Sequence, residues 1–218
     1  SDVQIIESAA RLAPHLLKTA YSASNMWTAN AATVSPSADT GDGRLHLTTA
    51  NLSTMLHRSI EHPDTTATLI SLFDNEDCFA VHSALPMHPD FADEGAANHV
   101  RLCAAHGEAG VELFVFGRLA GESTTGFPAR QSRLASESIV RSHGLDAQRS
   151  VLARQSVAAI NAGAFHNDVV CVGALDTLFF HELAFEDTDG VLSAIRKAAH
   201  GLFELKAVMV QSADVPIE

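Results

Sequence analysis

At 218 residues the chain is long enough for one large domain or two small ones, and it buries a sizeable core without requiring a partner. Its 46% hydrophobic and 18% charged residues are the makeup of a folded globular protein, which excludes a disordered segment. Twenty-six acidic against 14 basic residues, a formal charge of -12, argue against nucleic acid and suit, weakly, a cationic small substrate.

The N-terminus shows no basic and apolar leader. Its longest apolar stretches, such as 205–210, are too short to cross a bilayer, so a cytoplasmic protein without membrane contact is expected. Apolar spacing predicts an opening helix over 3–18. Strand-like runs at 27–34 and 44–51 flank the Asp42-Gly43 turn signal and predict a hairpin, followed by a helix over 65–73 and a strand over 79–82. The same order returns as strands 95–102 and 111–117, helix 130–142 and strand 151–154. It returns again as strands 164–170 and 177–183, helix 191–200 and strand 205–210. Asn30, Asn98 and Asn167 mark the three starts. A strand-strand-helix-strand unit of this length exceeds the common helical repeats and most propeller blades. The expected class is α+β. A series that starts and stops inside such units is expected to be part of a larger domain with exposed edges.

If His166-Asn167-Asp168 lies in a strand, His166 and Asp168 share one face because strand side chains alternate. An imidazole beside a carboxylate suits acid-base work next to a cationic group; the alternative is an Asp supporting a core His. Asp93-Glu94-Gly95 precedes the second unit, where Glu94 could orient His166 or sit in a solvated turn. Cys78, Cys103 and Cys171 are odd in number and lack CxxC spacing, so they read as reduced, buried thiols. Strand parity turns Cys171 and Cys103 away from the His166 face. The run 78–82 also reads as buried. The twelve histidines include the close pairs His57 and His62, His82 and His88, and His99 and His106, none with helical zinc spacing, so no metal site is expected. GxGxxG, GxxxxGK[ST] and GxSxG are missing too.

Seven ordered runs carry a resemblance that spans nearly the whole chain. They are 24–33 around Trp27-Thr28-Ala29-Asn30, Pro36-Ser37-Ala38-Asp39-Thr40, Leu56-His57-Arg58-Ser59, His82-Ser83-Ala84-Leu85-Pro86, Asp93-Glu94-Gly95-Ala96-Ala97-Asn98-His99, Pro128-Ala129-Arg130-Gln131 and Phe165-His166-Asn167-Asp168-Val169. Together they closely resemble the N-succinylarginine dihydrolases of the guanidino-group-modifying superfamily. The resemblance implies a pentein fold, an α/β propeller of five strand-strand-helix-strand units, of which about three would lie here, so that residues 1–218 form a partial pentein catalytic domain truncated at both ends. It implies hydrolysis of N2-succinyl-L-arginine to N2-succinyl-L-ornithine, ammonia and carbon dioxide in arginine catabolism, with no cofactor; a homo-oligomer is compatible with it. By matching position, Glu94 and His166 are catalytic and Asn30, His57, Arg58, Arg130 and Asp168 contact substrate. The family's nucleophilic cysteine would lie beyond Glu218, leaving this chain inactive alone. Asn30 poses a conflict, because strict alternation from Asn167 puts it opposite His166 unless a bulge or a shifted register intervenes. Two competing readings remain open: a non-catalytic module binding guanidino compounds, and a deiminase or dihydrolase of another guanidino substrate.

Overall fold

A computed structural model of the chain describes residues 1–15, 30–122, 127 and 129–217. The first helix, α1, covers Asp2–Leu12. It stops short of the expected 18 because the backbone leaves helical geometry at Ala13, φ -147 and ψ 62; residues 16–18 lie outside the described residues. The predicted order then appears three times as three-stranded sheets. The first contains β1 (Ala32–Ser35), β2 (Leu45–Thr49) and β3 (Phe79–His82), with helices α2 (Leu56–Ser59) and α3 (His62–Leu72) between β2 and β3. The second contains β4 (His99–Cys103), β5 (Gly110–Phe116) and β6 (Ser150–Arg154), with α4 (Arg133–Ser142) before β6. After α5 (Val157–Asn161) the third contains β7 (Cys171–Ala174), β8 (Thr177–His181) and β9 (Lys206–Val210), with α6 (Thr188–Ala198) before β9. In each sheet the first pair is antiparallel and the second parallel. A short turn allows the former, whereas the parallel return needs the helical crossover.

β5 is buried along its whole length, which its run Val111-Glu112-Leu113-Phe114-Val115-Phe116, apolar except at Glu112, fits as a central strand covered on both faces. Leu102, Val111 and Leu113 of the second unit pack with Cys171, Leu178 and Phe180 of the third, and Val191 and Ile195 of α6 join them. Gly173 lies at a close approach of the two sheets: a methyl group there would collide with Val100 and Leu102. Cys103 N–H donates to the Leu175 carbonyl at 2.9 Å, tying the ends of the two sheets together.

Several boundaries differ from expectation for local reasons. Asn98 closes a 3-10 turn over Gly95–Asn98, and β4 starts only at His99. Gly95 adopts φ +59, and a side chain there would run into the Asn30 carbonyl, so the segment turns instead of extending. His166 has extended backbone, Asn167–Val169 form another 3-10 turn, and the strand starts at Cys171. His166, Asn167 and Asp168 therefore do not lie in a strand, and the parity assigned to them does not apply. Asn30 likewise precedes β1, so alternation sets no face for it and its conflict disappears; the expected strand start at 27–29 lies outside the described residues. Helix α4 begins at Arg133 rather than at 130 because Ser132 caps it, its hydroxyl oxygen accepting the Ala135 N–H at 3.1 Å. Cys103 and Cys171 are buried, but Cys78 is exposed, contrary to the reading of 78–82 as buried. It sits in the turn before β3, a strand whose residues are only partly covered.

Candidate active site

The junction between the first and second units supplies the carboxylate. Beyond β2 the chain passes Leu52, whose φ is +49 and whose N–H donates to the Asp93 carbonyl at 3.0 Å. The Asn51 amide group donates to the carbonyls of Leu85, Pro86 and Phe91 at 3.3, 3.2 and 2.7 Å, while its oxygen accepts the Asp93 N–H at 3.0 Å. Gln131 fastens the other side. Its oxygen accepts the Glu94 N–H at 2.7 Å, and its amide group donates to Asp93 Oδ1 at 3.1 Å and Ser136 Oγ at 3.2 Å. Such locking of backbone and side chain around a functional group preorganises it.

Glu94 is 0% exposed, which discards the solvated-turn alternative. Its Oε2 accepts from Arg58 Nη1 at 2.6 Å and lies 2.7 Å from His166 Nε2, while Oε1 accepts from Thr54 Oγ1 at 3.0 Å. Burial alone would raise the Glu94 pKa, but the His166 hydrogen bond and the Arg58 charge outweigh it and hold the carboxyl below its ordinary value. With Glu94 ionised, Nε2 is the protonated ring nitrogen that donates to it, and Nδ1 remains for proton exchange. Beside it Asp93 behaves in the opposite way: complete burial pushes its pKa up to about 6 despite the bonds from Gln131 and Gly95.

Of the residues expected in the site, Glu94, Arg58, His166 and Arg130 come together. Arg130 Nη1 is 3.4 Å from His166 Nε2. Its guanidinium carbon lies 4.1 Å from the centre of the Phe165 ring, which in turn meets His166 edge-on at 5.8 Å. Desolvation lowers the Arg130 pKa. His57 Nδ1 and Arg130 Nε are buried without a hydrogen-bond partner among the described residues. Arg58, 2% exposed, spends Nη1 on Glu94 and serves as its counter-ion. Asp168 is an exposed residue two places beyond His166; desolvation of its carboxyl raises its pKa more than the nearby His166 charge lowers it. Asn30 stands beside this junction through its carbonyl, next to Gly95.

Thr54, Gln131, Phe165 and Asn98 were not assigned roles from the sequence. Gln131 and Phe165 each adjoin a predicted site residue within a quoted run, a signal that could have found them. Thr54 offers no such signal. Cys171 stands apart from this chemistry, since burial pushes its thiol up to about 12.

The family model described as succinylarginine dihydrolase matches residues 1–218. The chain belongs to the succinylarginine dihydrolase family. It is 57% identical over 217 residues to N-succinylarginine dihydrolase 2 of Caulobacter vibrioides, covering 99% of this chain and 48% of that protein. To the N-succinylarginine dihydrolase of Marinobacter nauticus it is 54% identical over 219 residues, 99% of this chain and 49% of that protein. To that of Pseudomonas putida strain F1 it is 52% identical over 223 residues, 100% of this chain and 50% of that protein. The chain thus spans about half the length of the curated relatives it matches.

Proposed function

We propose that the protein to which this chain belongs hydrolyses N2-succinyl-L-arginine to N2-succinyl-L-ornithine, two ammonia and carbon dioxide, with no cofactor, in the cytoplasm. The observation that carries this reading is the 2.7 Å bond between His166 and a fully buried, ionised Glu94, in a chain with this family membership. A guanidinium carbon is a weak electrophile, and a thiolate attacking it forms a covalent intermediate. His166 donates its proton to the departing ammonia and then takes one from the water that cleaves the intermediate. A second round releases the second nitrogen and leaves a carbamate on the ornithine side-chain nitrogen, whose C–N bond breaks as that nitrogen takes up a proton and carbon dioxide departs. Glu94 keeps the imidazole oriented and balances its charge. Asp168 holds the planar cation through paired hydrogen bonds. Arg130 and His57 receive the substrate's two carboxylates, one on the succinyl group and one on the arginine α-carbon, Arg58 adds positive charge beside them, and Asn30 completes the contact set.

The nucleophilic cysteine comes from outside residues 1–218: Cys103 and Cys171 serve the core, and Cys78 lies before β3. The three units are part of one pentein catalytic domain. That arrangement is supported by the apolar face of the third sheet, where Val172 and Phe179 are 55% and 48% exposed although the matching face of the second sheet is covered by the third. Ammonia release tests the proposal. The full-length protein should turn over succinylarginine and lose at least about 10²-fold in kcat as His166→Ala. Equal turnover of free arginine would overturn the substrate assignment, and robust turnover by residues 1–218 alone would overturn the external nucleophile.

A further inference from the structure

Two of the three asparagines that mark the repeat, Asn98 and Asn167, have no place in the chemistry above. Asn98 is buried, and its Oδ1 accepts the N–H of Asn167 at 2.8 Å. That N–H belongs to the residue immediately after His166. The 3-10 turn Gly95–Asn98 has Glu94 at its N-cap, so one short turn touches His166 from both ends: Glu94 binds the imidazole and Asn98 binds the adjoining main chain. A hydrogen bond at Nε2 alone leaves the imidazole free to tilt about its own side-chain torsions and to follow any shift of its backbone. A second anchor on the backbone removes that freedom.

We propose that Asn98 is a positioning residue for His166, acting through the Asn167 peptide, and that its bond sets the approach of Nε2 to Glu94. The backbone around His166 is held at separate points: Gln155 Nε2 donates to the Ala164 carbonyl at 2.6 Å, Val169 N–H to the His166 carbonyl at 3.4 Å and Val170 N–H to the Asn167 carbonyl at 2.9 Å, while the Asn167 N–H is taken by Asn98. His166 lies outside β7, and Asn167–Val169 form a single 3-10 turn. Asn98 thereby replaces, at one point, the ladder hydrogen bonds that a strand would have provided. The size of the side chain fits the role. Asn reaches the neighbouring peptide, whereas Ala has no acceptor and Asp keeps an acceptor oxygen at the same reach.

The structural arm of the test needs no substrate. In the full-length protein a downfield imidazole N–H resonance, assigned by its loss in His166→Ala, reports the bond to Glu94. Asn98→Ala should broaden or abolish it while backbone dispersion is kept, and Asn98→Asp should restore it. An unchanged resonance in Asn98→Ala overturns the proposal. If Asn98→Ala does not fold, a through-hydrogen-bond coupling between Asn167 15N and Asn98 13Cγ in the wild type decides: detection supports the hold and its absence overturns it. The kinetic arm rests on the function proposed above. There Asn98→Ala should lower kcat by up to about 10²-fold with KM nearly constant and shift the pH profile of kcat; a proportionate loss of folded enzyme with an unshifted profile overturns positioning. Failure of succinylarginine turnover in the wild type would sink the functional reading and leave the resonance result standing.

Discussion

A single buried carboxylate gathers three side-chain partners. Glu94 is removed from solvent and is kept ionised by one guanidinium, one hydroxyl and one imidazole. A buried charge losing one of its partners is left uncompensated, which costs about 3–5 kcal/mol. Arg58→Met should therefore destabilise by that order in urea unfolding, and it should raise the Glu94 pKa because the attraction that lowers it is gone. A loss under about 1 kcal/mol would show that Arg58 serves ligand binding alone and that Glu94 is sustained by His166. The double variant Arg58→Met with Glu94→Gln should recover much of the loss, since the orphaned charge is gone as well.

Among the elements, the strand-strand-helix-strand order was legible because each unit carries unambiguous cues. Gly110 ahead of the apolar run of β5, and Asp42-Gly43 ahead of β2, are instances. The starts of the units were not legible. Asn30, Asn98 and Asn167 sit among small and apolar residues that read as strand, yet Gly95 needs φ +59 and a neighbouring carbonyl excludes any side chain there. That exclusion comes from residues over 60 positions away and leaves no trace in local spacing. Likewise the types Glu94 and His166 suggested their chemistry and the family resemblance supplied Arg130, but the inward turn of Arg58 onto Glu94 depends on α2, a helix of four residues too short to show a period. Close sheet packing gives a prediction at this scale. Gly173→Ala places a methyl group against Val100 and Leu102, and overpacking of this kind costs about 1–3 kcal/mol. Thermal unfolding checks it; an unchanged midpoint would mean that the second and third sheets slide apart freely.

For the molecule as a whole, the joint between the first two units depends on a histidine kept neutral. His143 follows α4 and is buried against the first sheet, with Ser35 Oγ 2.8 Å from Nδ1 and Thr48 Oγ1 2.7 Å from Nε2. It stacks on His82 at 5.2 Å and meets His46 edge-on at 5.3 Å; His82 Nε2 and His46 Nδ1 are 2.9 Å apart, and Asp42 is the carboxylate bonded to His46. Burial, followed by repulsion from His82 and His46, pushes the His143 pKa down to about 3. A pKa depressed from the ordinary 6.5 means that the unfolded chain binds the extra proton, so this stability is complete above about pH 6.5 and is lost as pH falls toward 3. Asp93 works in the opposite sense. Its raised pKa gives stability that is complete below about 3.8 and lost as pH rises through about 6. Between about pH 7.5 and about pH 5 the wild type should lose more of its urea midpoint than His143→Gln, which keeps the opposing Asp93 gain but lacks the imidazole's loss. Equal slopes would show that the imidazole cluster takes no part in acid sensitivity.

The Gln131 side chain has a consequence for how this site could change its preferences. The residue next to Arg130 grips the main chain at Glu94, so the cation we propose for the substrate tail and the carboxylate behind the proposed acid-base histidine share one mount. A lineage adapting to a different tail has room at the tip of residue 130 itself. Shifting its backbone would drag the proton-transfer geometry along, and the price would be turnover.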